Sequence, residues 1–163
     1  VMTLEERIQR IESYGRGYPQ LAEALKQFPK EMWSFKPSPD RWSIHEIIIH
    51  LADSEANAYV KCRKLIAEPG KPIAAYDQDK WSGAFCYQDQ STEEALELFK
   101  RLRLSSYRLI KSLPEPVWLN AAGSMENETV TLDNWLKVYE QHIPGHIHQM
   151  KKRYDEWKKK YPE

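Results

Sequence analysis

What most constrains this chain is a hydrophobic rhythm. Apolar residues return every three or four positions over four long stretches, and no stretch shows the two-residue alternation of a half-buried strand. The first covers about residues 3–28, with Leu4, Ile8 and Ile11, then Leu21, Leu25 and Phe28. The run Gly-Arg-Gly-Tyr-Pro at 15–19 interrupts it, and Pro19 is expected to kink or restart the helix. The second opens on Ser43 with Glu46 three residues later, a capping box, and Trp42 is placed to staple against Ile47. It runs to about Ala67 with Ile44, Ile47, Ile48, Leu51 and Cys62 on one face. The third starts at Ser91 or Thr92, uses Leu96, Phe99, Leu102, Leu109 and Leu113, and is stopped by Pro-Glu-Pro at 114–116. The fourth is capped by Thr131 and runs to about Lys158. The connection at about 68–90 is long and aromatic, carrying Tyr76, Trp81, Phe85 and Tyr87. The expectation is an all-α domain spanning 1–163, a four-helix bundle with long crossover connections rather than simple up-down-up-down order.

Charge narrows the function. Lys+Arg and Asp+Glu are both 24, so the formal net charge is zero, where an electrostatic nucleic-acid binder would show a basic excess. The basic cluster at the C-terminus, KKRYDEWKKK, reads as a solvated last turn at the negative end of a helix dipole. No segment approaches the ~18 apolar residues of a membrane span, and the first residues are charged, without a signal-peptide core. A cytoplasmic protein is expected. Cys62 and Cys86 are too few for a disulfide framework and form no Cys-x-x-Cys pair.

The fourth stretch carries His142 and His146 within QHIPGHIHQM. Four residues apart on a helix, two side chains differ by only about 40° in direction. Trp135, Tyr139, Ile143, Met150 and Trp157 mark the buried face, and both imidazoles fall on or beside it. Paired core imidazoles are costly unless their nitrogens are satisfied. His148 points about 160° away from His146 and is expected on the surface, as is His45 beside the capping box. His50 lies on the flank of the second stripe, next to Ile47. If the second helix packs on the fourth, His50, His142 and His146 meet as a three-imidazole set for a divalent transition metal. Neutral imidazole suits zinc, nickel, copper or iron, and three protein ligands leave a position open. The alternative is three core histidines satisfied by carbonyls or water. Pro144 and Gly145 fall between the two histidines, where proline deprives the Glu140 carbonyl of its helical donor.

Three further residues are candidates for catalysis. Glu55 lies near the centre of the second stripe; it has the chemistry to orient a ligand histidine, to act as a general base, or to pair with Arg63 or Arg103. Gln149 follows His146 by three and is placed to hold water or substrate; Tyr139 precedes His142 by three, with core packing as its simpler role. Asp53 is expected nearer the surface.

The run P-x-P-x-x-WSIHEIIIHLADSE, then YDQDKW in the long connection, then H-x3-H-x2-Q resemble, in that order, segments of the DinB/YfiT-like superfamily. The likeness extends over nearly the whole chain. It implies a four-helix bundle with crossovers, a homodimer, and one divalent metal per chain, zinc or nickel foremost, held by His50, His142 and His146. It implies metal-dependent chemistry of two kinds: transfer of a low-molecular-weight thiol such as bacillithiol to an electrophile, which the spacing here resembles most, or hydrolysis by a metal-activated water. A non-catalytic stress-response bundle is the third possibility. The expected partners are a small thiol and an electrophile, or a hydrolysable substrate, with neither nucleic acid nor membrane.

Overall fold

The computed structural model describes residues 1–123 and 130–163. Six α-helices make up its regular structure: α1 (Leu4–Gly15), α2 (Gly17–Leu25), α3 (Ile44–Ala67), α4 (Gln78–Ala84), α5 (Thr92–Ile110) and α6 (Leu132–Lys160). Among the described residues there is no strand, only isolated bridges between loops. The predicted caps form. The Ser43–Glu46 capping box is reciprocal, and Ser91 and Thr131 each accept from the backbone N–H three residues on. α6 continues unbroken through Pro144 to Lys160.

The four walls of the bundle are α1 with α2, then α3, α5 and α6. α3 packs on α5 and α6, and α1 packs on the same two, so α1 stands diagonally across from α3. Side-chain pairs give the directions. Glu55 meets Arg103 and Arg63 meets Ser106, so α3 and α5 run parallel; Arg7 meets Asp133 and Arg10 meets Glu140, so α1 and α6 run parallel too. Trp42 meets Arg153 while Trp135 meets Ala58, which makes α3 and α6 antiparallel. The order is therefore up-down-down-up, as the long connection implies.

The first stretch breaks at Arg16, inside the Gly-Arg-Gly-Tyr-Pro run expected to interrupt it, and restarts at Gly17, two residues before Pro19. Pro19 is the third residue of α2, where its missing N–H would have had no helical partner anyway. The break answers to α5: a Cβ on Gly15 would lie 2.5 Å from the Tyr107 ring, and one on Gly17 2.5 Å from Arg103 Nη1. Leu4 and Ile8, expected in the core, are exposed; Ile11 is buried as expected, and α1 is rotated so that Arg7 and Tyr14 join it inside. Arg7 forks onto both Asp133 oxygens at 2.7 and 2.9 Å, adds Glu115, and lies over the Trp118 ring. That charge-assisted fork draws a polar residue inward that hydrophobic periodicity alone cannot foresee.

Two apolar clusters fill the bundle. One holds Leu21, Phe28, Met32, Ile44, Ile47, Phe99, Ile143 and Met150; the other holds Ile11, Ala58, Leu65, Ile110, Trp118, Leu132 and Trp135. Between them lies a polar layer. Arg103 of α5, 1% exposed, donates to both oxygens of Glu55 of α3, also 1% exposed, at 2.8 and 2.9 Å. Tyr14 of α1 adds its hydroxyl to Glu55, and Arg103 reaches the carbonyls of Tyr14 and Tyr139. One ion pair thus ties α3 and α5 to backbone from α1 and α6.

Candidate metal centre

His50 of α3 faces His142 and His146 of α6 across the antiparallel α3–α6 interface. One ring nitrogen from each lies within 4.8 Å of the other two. Ring centroids are 4.5 Å apart for His142 and His146, 4.9 Å for His50 and His146, and 5.6 Å for His50 and His142. His50 is buried and the other two are half-buried. The α6 pair meets because positions i and i+4 share a face, and His50 joins them because α3 presents its flank there.

Hydrogen bonds assign the nitrogens. Gln149 Oε1 lies 2.8 Å from His146 Nδ1 and, being a carbonyl oxygen, accepts its proton. His146 Nε2 then carries a lone pair, and it points at His142 Nε2 only 3.0 Å away. His142 Nδ1 is buried with no protein partner. Burial, and then the neighbouring imidazoles, pull His50 down to about 3 and His142 to about 2; burial lowers His146 as well. All three are therefore neutral at physiological pH, the form in which imidazole ligates a metal. Convergent ring nitrogens and neutral rings fit one divalent transition metal. The donor set has three members, so a fourth position would remain for a substrate or water.

The long connection forms one wall. Asp77 caps α4, and the Tyr76 hydroxyl lies 3.4 Å from His50 Nδ1. Tyr76, Trp81 and Phe85 stack edge to face in sequence. Tyr87 is fully buried and donates to Asp53, so Asp53 is an anchor for the connection rather than the surface residue the stripe suggested. The Trp42 ring lies 4.6 Å from the His50 ring. Tyr76 and Trp42 are the contacts that helix faces do not reveal. The aromatic YDQDKW run was the signal for Tyr76; Trp42 had signalled only its cap.

The remaining candidates take definite places. Glu55 is fully engaged by Arg103 and Tyr14, the ion-pair role among the three weighed for it. Tyr139 is buried, packs its ring edge-on to His142 at 5.9 Å, and burial pushes its hydroxyl up to about 12. Gln149 holds a ring nitrogen of His146. His45 bonds the Gln90 carbonyl and His148 is exposed, both outside the cluster. Cys62 is buried and its thiol is pushed up to about 12, which makes it inert; Cys86 is exposed.

Known proteins share this fold. The solved structure of YfiT from Bacillus subtilis, titled "a probable metal-dependent hydrolase with an unusual four-helix bundle topology", superposes with a TM-score of 0.85 at 21% identity, covering 94% of this chain and 88% of that one. In sequence, "Putative metal-dependent hydrolase OB0782" of Oceanobacillus iheyensis is 26% identical over 106 residues, and "Putative metal-dependent hydrolase YfiT" of Bacillus subtilis is 26% identical over 107. Each alignment takes in 65% of this chain but only 61% and 60% of the relative, about three-fifths of its length. The family model described as the DinB superfamily matches residues 14–150, from the end of α1 to beyond the second α6 histidine. A match of that extent, over the same bundle, means that this chain belongs to the DinB superfamily.

Proposed function

We propose that this protein is a metal-dependent enzyme in which His50, His142 and His146 hold one divalent transition metal, zinc or nickel, and that it transfers a low-molecular-weight thiol of the bacillithiol type to an electrophile. The observation that carries the metal is the convergence of three neutral imidazoles within 4.8 Å. A bound divalent metal supplies Lewis acidity there, lowering the pKa of a thiol or a water. The chain's own part is to hold the rings: Gln149 fixes His146 through Nδ1, while Tyr76 and Trp42 bound His50.

One feature favours a thiol over water as nucleophile. The three carboxylates of α3 are all committed, Glu46 to Lys36 and the Ser43 backbone N–H, Asp53 to Tyr87, and Glu55 to Arg103. None stands ready as a general base. A thiol, with a pKa of ~8.5, needs far less help to ionise than water does. The hydrolase reading draws its support from the names of the relatives. A homodimer accompanies the proposal, and exposed Leu4, Ile8 and Val138 are apolar surface available for it.

Elemental analysis of untagged protein tests the site. About one metal per chain is expected, lost in His50→Ala, His142→Ala and His146→Ala; metal content indifferent to all three sinks it. Conjugation of an electrophile with and without bacillithiol, beside a panel of esters and amides, tests the reaction. Full-rate hydrolysis without thiol defeats the transferase reading.

A further inference from the structure

His142 and His146 line an open cavity of about 640 Å³ that runs along α6. The same helix face continues with Gln149 and Arg153, so His142, His146, Gln149 and Arg153 form a row at i, i+4, i+7 and i+11. Arg153 lies seven residues past His146, about 10 Å along the helix. Arg41 and Lys152 line the cavity beside it, and no carboxylate does so among the described residues. Glu156 takes Arg41 at 2.8 Å and Arg153 at 3.2 Å. One carboxylate is thus shared by two arginines, and Lys152 makes no ion pair among the described residues, so the cavity end carries positive charge. Arg153 is itself held in place: it is 3% exposed and donates through Nε to the Trp42 carbonyl. Burial and the proximity of Arg41 both pull its guanidinium below the ordinary value.

We propose that the Arg41, Lys152 and Arg153 end of this cavity is an anion subsite, and that the substrate of the histidine centre is an elongated molecule with a terminal carboxylate or phosphate about 10 Å from its reacting atom. The proposal rests on the reading of the histidines as a metal centre with a thiol cosubstrate, and it adds the far end of that cosubstrate. Guanidinium and ammonium groups recognise both oxyanions. The spacing sets a minimum length: a short thiol acid reaches the imidazoles or the cations, not both.

Calorimetric titration of the metal-loaded protein tests it with three thiols of matched length, ω-mercaptooctanoate, ω-mercaptooctylphosphonate and ω-mercaptooctanol. At least one of the two anions should bind about tenfold or more tightly than the alcohol, and the tighter one names the anion. In Arg41→Gln/Lys152→Gln that preference should fall to twofold or less, with alcohol affinity and metal content unchanged, because neither residue touches the imidazoles. Equal binding of all three by the parent overturns the subsite, as does a preference that survives in the double variant, or no binding of any. If the preference appears and disappears as stated but the protein conjugates no electrophile, the transferase reading fails and the anion subsite stands.

Discussion

The Glu55–Arg103 pair offers the sharpest test of how this bundle is held together. Glu55→Gln keeps the shape and removes the charge. The Arg103 guanidinium then stays 1% exposed without a counter-ion, and it cannot neutralise itself because its pKa exceeds 12. Breaking a buried pair from one side costs about 3–5 kcal/mol. At about 2–4 °C per kcal/mol for a chain of this size, the melting temperature should drop by roughly 6–20 °C. Arg103→Leu strands the other partner, leaving the buried Glu55 carboxylate with only the Tyr14 hydroxyl, and should cost about as much. Urea denaturation of both variants against the parent reads the two penalties directly. The reasoning fails if Glu55→Gln lies within about 1 kcal/mol of the parent.

Other outcomes follow from the same geometry. His50 and His142 are held at about 3 and about 2, whereas the unfolded chain takes up these protons near ~6.5. Metal-free protein should therefore lose about 2 kcal/mol per histidine between pH 8 and pH 5 and be flat above pH 7 on their account; a urea midpoint unchanged over that range contradicts it. Gly17→Ala puts a methyl 2.5 Å from Arg103 Nη1 and should cost about 1–3 kcal/mol, while Gly83→Ala in α4, with nothing within 4 Å, should be neutral or slightly stabilising by thermal melt. Gln149→Leu removes the acceptor that orients His146 and should weaken metal binding about 10–100-fold in a chelator competition; unchanged affinity would show that the carboxamide does not position the ring. Light scattering at micromolar protein should give a dimer mass, and a monomer there refutes the proposed pairing.

The parts legible in the sequence were those governed by local rules. Caps, helix faces and the convergence of His50 with His142 and His146 follow from turn chemistry and a 3.6-residue period, given only that α3 meets α6. What stayed hidden depends on long-range partners. Nothing near Arg7 announces Asp133, so the rotation of α1 was misplaced; the run at 15–19 announced the break, but nothing near Gly17 announces the Arg103 it makes room for. Tyr76 over His50 and Tyr87 on Asp53 needed the course of a connection that has little periodicity of its own. Glu55 was placed inside correctly, but its partner among several arginines is a tertiary fact.

Parallel neighbours in a bundle cannot be joined by a tight turn. α3 is 24 residues long, so a chain leaving its end must travel back about 36 Å before α5 can begin beside its start, where His45 of α3 meets Gln90. A fully extended chain would need roughly 11 residues for that journey. The connection has about twice as many, and the surplus is spent as α4 and the aromatic segment over His50. The wall of the metal centre is thus a by-product of helix direction. Any chain with this up-down-down-up order is obliged to lay a segment along the bundle's flank, and that segment can diverge while the packing among α1, α3, α5 and α6 stays as it is.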